Sequence, residues 1–177
     1  DRRKSRGLGD VYKRQALDNV IGVYSLVSDY GSQFLRFGEN GPESVFEIQY
    51  SNQSNWYDWG CVHCSEGNYA IIMNGPRGWS GPEYAQGWSF NVPTAEFYNS
   101  FEEGDTRRDA TGLDIEAFAA ATGANYTEGY DHTGYFNNKY IPRAGESGGQ
   151  TELNYLTNFR IIRYSDVLLM AAEAYNR

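Results

Sequence analysis

The sequence predicts a mainly α protein in which helical segments flank an irregular, loop-rich module with short strands. Three observations carry this expectation. Leu17, Val20, Ile21, Tyr24 and Val27 recur at spacings of three and four, the period of one helix face. Near the other end, Leu168, Leu169, Ala171, Ala172 and Tyr175 form a broad apolar stripe among good helix formers. Between these segments, residues 51–92 are rich in Gly, Asn, Ser and Trp, with little periodicity.

The 177 residues suit one domain or a piece of one. The 4 Trp, 15 Tyr and 9 Phe can build a core, and such a composition argues against disorder. The longest apolar run, Val167 to Ala172, is far short of the ~20 residues that span a bilayer. The body of the chain has no Lys/Arg cluster interleaved with aromatics, so no nucleic-acid partner is expected.

Charge is uneven. Residues 1–15, DRRKSRGLGDVYKRQ, hold six Lys/Arg against two Asp, a net +4, and the remaining residues carry 9 Lys/Arg against 21 Asp/Glu, a net −12. The head has no apolar h-region and does not read as a secretory signal. Its run SRGLGDVYKRQ resembles translated adapter sequence found at the ends of metagenomic reading frames. The head is therefore expected to be non-native or disordered, and to make no packed contacts.

Taken in order, the body begins with a helix over 16–30 and a short Phe34–Leu35–Phe37 segment between glycines. ESVFEIQY (43–50) alternates, with Phe46, Ile48 and Tyr50 on one face and Glu47 and Gln49 on the other. It reads as a half-buried strand, with Pro42 suiting its start. The stretch 51–92 contains all four Trp; a loop region this long and this aromatic is expected to be ordered and functional. Thr94 caps a short helix whose Phe97 and Phe101 share a face, with Gly104 as its stop, and Asp114 caps a helix over 115–121 ended by Gly123. Residues 125–140 read as a hairpin or loop, and 145–149 as a flexible break. The strongest helix signal spans 159–177. It carries no stop signal, and the expectation is a protein truncated at both ends.

Several motifs point to chemistry. Cys61-Val62-His63-Cys64 has the spacing of a redox pair or half a zinc site. Zinc wants four ligands, and the other His is His132. The motif also lies in a loop, outside any βαβ setting. A local disulfide or two idle thiols is the expected state, without a metal or any other cofactor. The sequence lacks a G-x-S-x-G elbow, a Walker A motif and a dinucleotide fingerprint. Glu43, Glu47, Asp58, Glu66, Glu83 and Asp105 supply carboxylates, but a glycosidase needs two at a set separation, and no enzyme is expected. Asp105, Arg107 and Arg108 read as a turn-fixing ion pair in preference to an anion site. SNQSNWYDW (51–59) sets Trp56, Tyr57 and Trp59 among amides and Asp58. Sugars present flat C–H faces to aromatic rings and hydroxyls to amides and carboxylates. An apolar platform with a few aimed polar groups is a ligand-pocket pattern, so Trp56, Tyr57, Trp59 and Trp79 are the candidate glycan-binding residues. Pinning an irregular loop to the scaffold is the alternative role for each ring.

NFRIIRYSDVLLMAAEAYN, Asn158 to Asn176, resembles the signature of the SusD/RagB family of Bacteroidetes outer-membrane glycan-binding lipoproteins. Arg163-Tyr164, Asp166 to Leu169 and Ala172 to Ala174 fall in place. Earlier segments are similar in the same order: ESVFEIQY, then Gly87-Trp88, Pro93-Thr94, Phe101-Glu102 and Asp105 to Arg107, then Lys139-Tyr140. The resemblance implies a SusD-like, TPR-type helical scaffold. Residues 16–30 would be its upstream helix, 31–157 the loop-rich module and 158–177 the start of its downstream helices. It also implies a non-catalytic, surface-exposed lipoprotein of the cell outer membrane. Such a protein binds oligosaccharide or polysaccharide, delivers it to a TonB-dependent SusC-like transporter, and reaches the membrane through a lipid anchor not in this sequence. A secreted or periplasmic carbohydrate-active hydrolase domain is the alternative, and a structural transporter subunit a third reading.

Overall fold

The computed structural model describes residues 2–53, 59–147 and 154–176. In chain order its elements are α1 (Arg2–Asp18), β1 (Ser44–Ile48), α2 (Ala70–Met73), β2 (Arg77–Ser80), α3 (Ala95–Asn99) and α4 (Arg107–Thr111), then β3 (Gly112–Asp114), α5 (Ile115–Thr122), β4 (Asn125–Thr127), β5 (Tyr135–Asn137), β6 (Phe159–Arg163) and α6 (Tyr164–Tyr175). Among the described residues the strands form three separate antiparallel pairs, β1 with β6, β2 with β4 and β3 with β5. Helices hold 35% of the residues, and of the α-helices among the described residues only α1, α5 and α6 exceed five residues, so the mainly α expectation holds in part.

Local chemistry explains the short helices. Thr94 Oγ1 accepts from Phe97 N at 3.1 Å at the start of α3. Asp114 Oδ1 accepts from Ala117 N at 2.9 Å at the start of α5, and Gly123 ends that helix at φ +74°, a conformation open to glycine at little cost. Phe97 and Phe101 meet edge to face at 5.5 Å. Helix α3 stops at Asn99, ahead of Gly104. Segment 125–140 is not a hairpin on itself: β4 pairs with β2 and β5 with β3.

The structure departs from expectation at both ends. The helix predicted over 16–30 ends at Asp18. Gly22 then takes φ +88°, and the chain leaves helical geometry to bond elsewhere. Ser25 N donates to Pro42 O at 3.0 Å, and Val27 N donates to Glu43 Oε2 at 3.1 Å. Nor is the head free of contacts. Its residues extend α1, which lies against α6: Arg14 Nε donates to Ala174 O at 2.8 Å, and Tyr175 bonds Asp18. Ala16 and Leu17 of α1 line a cleft together with Met170 and Ala174 of α6.

At the other end, the helix predicted over 159–177 begins only at Tyr164; Phe159–Arg163 is a strand. The run Phe159-Arg160-Ile161-Ile162 favours strand geometry. A capping box sets the switch, with Arg163 N donating to Asp166 Oδ2 at 2.9 Å. The inward face of α6 is Tyr164, Val167, Ala171 and Ala174. The apolar stripe of the sequence does not turn inward throughout: Leu169 is 71% exposed, and Ala172 is exposed as well. Val167→Ala is accordingly expected to cost about 2 kcal/mol, and Leu169→Ala less than about 0.5 kcal/mol; urea midpoints of the two variants check this.

Strand β1 forms as expected, with its faces reversed. Glu47 is buried and Phe46 is 54% exposed. Alternation shows that a strand has two faces without saying which is inward. Here the polar face turns in because arginines wait there. Arg160 on β6 contacts Glu47 at 3.5 Å and Glu39 at 3.8 Å, and Arg163 lies 4.0 Å from Glu43. Burial comes first among the causes that push Glu39 above the usual carboxylate range, against the Asn158 N–H and Arg160.

Among the described residues, two apolar clusters complete the interior. One joins Tyr84, Leu113, Ile115, Phe136 and Ile141, the other Ile71, Ile72 and Tyr155.

Candidate functional site

The aromatic loop singled out in the sequence leaves the body at Ser51 and returns at Glu66, where Ser51 N donates to Glu66 O at 3.0 Å. Trp56 and Tyr57 lie outside the described residues, as does the side chain of Trp59. The backbone of Trp59–Cys64 forms a kinked 3₁₀ segment. Cys61 and Cys64 close it as a disulfide, their Cα atoms 5.4 Å apart, which is the local closure expected as one state of the pair. Among the described residues no group of three His, Cys, Asp or Glu could hold a metal ion.

Beneath the loop sits a neck of buried amides. Asn68 N donates to Tyr155 O at 2.8 Å, and its Nδ2 to Thr157 O at 2.9 Å. Ser65 Oγ donates to Asn154 Oδ1 at 2.8 Å. Asn158 accepts from Tyr50 N at 3.0 Å and donates to Gln49 Oε1 at 2.8 Å and Glu47 Oε2 at 3.1 Å. Both ends of the loop are thereby tied to the single strand of chain 154–158. A buried amide left unpaired costs ~1–3 kcal/mol, so this network opposes any displacement of the loop base. These residues escaped the sequence reading. Their signal was faint: Asn154 and Asn158 each sit directly beside an aromatic, in the runs LNY and TNF.

Trp79 lies apart from this neck. It sits on β2, half-buried against the first core cluster, edge-on to Tyr84 and tilted against Phe118, both at 5.9 Å. Its Nε1 is buried with no hydrogen-bond partner among the described residues. Burial leads the causes that push the neighbouring Tyr84 hydroxyl up to about 12, which marks this as an apolar setting.

The charged candidates are engaged locally. Asp105 accepts from Arg107 N at 2.9 Å and from its Nε at 2.9 and 3.1 Å. The Arg107 guanidinium holds the Asp105 carboxyl down at about 2. Arg108 Nε meets Asp109 at 2.9 Å. The turn-fixing reading of this motif stands. Glu83 meets Arg143 at 3.6 Å, so Glu43, Glu47, Glu83 and Asp105 each lie within 4.0 Å of an arginine. Asp58 lies outside the described residues.

Comparison with known proteins gives consistent results. Residues 108–177 match the model of the SusD family. A SusD-like protein P2 from Formosa agariphila is 31% identical over 143 residues, 76% of this chain and 26% of that protein. A solved laminarin binding SusD-like protein is 35% identical with a TM-score of 0.84, covering 96% of this chain and 40% of its own. Surface glycan-binding protein A from Bacteroides thetaiotaomicron, solved in complex with laminarihexaose, is 33% identical with a TM-score of 0.84 over the same shares. The chain thus spans about a quarter of the curated relative and 40% of these two structures.

Proposed function

The chain belongs to the SusD family, and on that premise we propose that it serves non-catalytic binding of glycan chains. The observation that carries the reading is similarity along 96% of the chain to two structures, one named as laminarin binding and the other solved with laminarihexaose. The loop chemistry supports it. Trp56, Tyr57 and Trp59 supply rings among amides, on a loop whose base is fixed by the buried neck and the disulfide. We place the stacking platform on these three residues and assign Trp79, the fourth candidate, to packing.

The bound sugar is delivered to a TonB-dependent SusC-like transporter by a lipoprotein at the outer face of the outer membrane. Support for this part is the family resemblance, together with a disulfide that suits an oxidising compartment outside the cytoplasm. The test separates binder from hydrolase. In native gels containing laminarin the full-length protein is expected to be retarded, while incubation with the same polysaccharide releases no reducing ends. Unretarded migration across a panel of laminarin, xylan and starch contradicts binding. Sustained reducing-end release establishes the hydrolase alternative.

A further inference from the structure

A groove of about 520 Å³ lies away from the loop in sequence, between segments 77–92 and 127–131. Its wall carries Phe90, 50% exposed, and Tyr130, 91% exposed, with Trp88 edge-on to Phe90 at 6.4 Å. Singly exposed rings are ordinary, but rings gathered along one groove form the kind of apolar patch that marks a contact site.

The backbone that carries Trp88 and Phe90 is held by hydrogen bonds. Gly87, Trp88, Ser89 and Phe90 each donate a backbone N–H to Pro76, Ile72, Gly75 and Met73, at 2.8 to 2.9 Å. A side chain on Gly87 would run into the Asn74 carbonyl, and one on Gly129 would come within 2.7 Å of Ser89 Cβ. Ser89, Asn91 and Asp131 hold φ of +56°, +52° and +55°. Such left-handed non-glycine residues persist where surrounding structure enforces them, and they gather at ligand sites.

The polar groups are sparse and distinct in kind. Arg77 Nε donates to Trp88 O at 2.7 Å, and its guanidinium lies 5.5 Å over Phe90. Glu128 and Asp131 line the groove, and neither forms an ion pair among the described residues. Two carboxylates against one arginine, on a chain of net −8, disfavour an anionic ligand. Ring faces beside unpaired carboxylates match a neutral pyranose chain, whose C–H faces stack and whose vicinal hydroxyls donate to carboxylate oxygens.

We propose that this groove is a second carbohydrate-contact site for a neutral oligosaccharide, with Phe90 and Tyr130 as stacking rings and Glu128 and Asp131 as hydroxyl acceptors. The inference rests on the glycan-binding reading, and its test separates the two. Laminarihexaose, cellohexaose and maltohexaose are titrated calorimetrically into the full-length protein and into Phe90→Ala, Tyr130→Ala, Asp131→Asn and Trp56→Ala/Trp59→Ala variants, with melting curves alongside. For whichever hexasaccharide the parent binds, Phe90→Ala and Tyr130→Ala are expected to weaken affinity roughly tenfold, by analogy with bases stacked on rings, at an unchanged melting midpoint. Parental affinity in both ring variants overturns the groove and leaves the loop platform standing if Trp56→Ala/Trp59→Ala weakens binding. A melting midpoint several degrees lower in Tyr130→Ala shows a ring covered by packing and also overturns the groove. A parent that binds none of the three overturns both readings.

Discussion

Arg160→Met is expected to destabilise the protein by about 3–5 kcal/mol, the usual cost of removing one partner from a buried ion pair. The Arg160 side chain is 2% exposed and that of Glu47 1%. Its guanidinium also donates to Asn158 O at 2.7 Å and Leu35 O at 3.0 Å, so the substitution strands two carbonyls together with the Glu47 carboxylate. Adding Glu47→Leu removes the uncompensated charge, and the double variant is expected to recover about half of the loss. The rest persists because Asn40 N and Asn158 Nδ2 lose Glu47 as acceptor. Urea midpoints at constant slope measure both changes. A single variant within about 1 kcal/mol of the parent would mean that the charged face of β1 is solvated, contrary to its burial.

Trp79→Ala is expected to cost about 3–5 kcal/mol, the range for a large aromatic removed from a core. Its ring supports Tyr84 and Phe118, which also meet each other at 5.1 Å. Trp79→Phe keeps an aromatic partner for both and deletes the buried Nε1–H that lacks an acceptor among the described residues, so its cost is expected to stay under about 1.5 kcal/mol. Glycan affinity of the folded protein is unchanged in both variants. A Trp79→Ala variant that melts like the parent and loses affinity returns Trp79 to the platform.

These two residues show what the sequence could and could not convey. Caps were legible because capping is local: Thr94, Asp114 and Gly123 act within three or four residues of their own backbone. The ion pair of Asp105 with Arg107 was legible for the same reason. The direction of β1 was not, because the charge that turns Glu47 inward sits on Arg160, more than a hundred residues along the chain. The boundary at Tyr164 was hidden because apolar residues recur on both sides of it, and the capping pair Arg163 and Asp166 was the overlooked mark. The same blindness applied to the site. Composition pointed to the loop 51–59 but not to the neck that fixes it, since Asn68, Asn154 and Asn158 acquire their meaning only across long sequence separations.

The central claim is that the clamped aromatic loop binds glycan, and calorimetric titration of laminarihexaose into the full-length protein and its Trp56→Ala, Tyr57→Ala and Trp59→Ala variants tests it most directly. Stacking on one ring supplies ~1–3 kcal/mol, borrowing the magnitude for bases on aromatics. The account predicts saturable binding by the parent and dissociation constants about tenfold to a hundredfold weaker in the variants, with melting midpoints unchanged. Full parental affinity in all three variants, or no heat of binding in the parent, would contradict it.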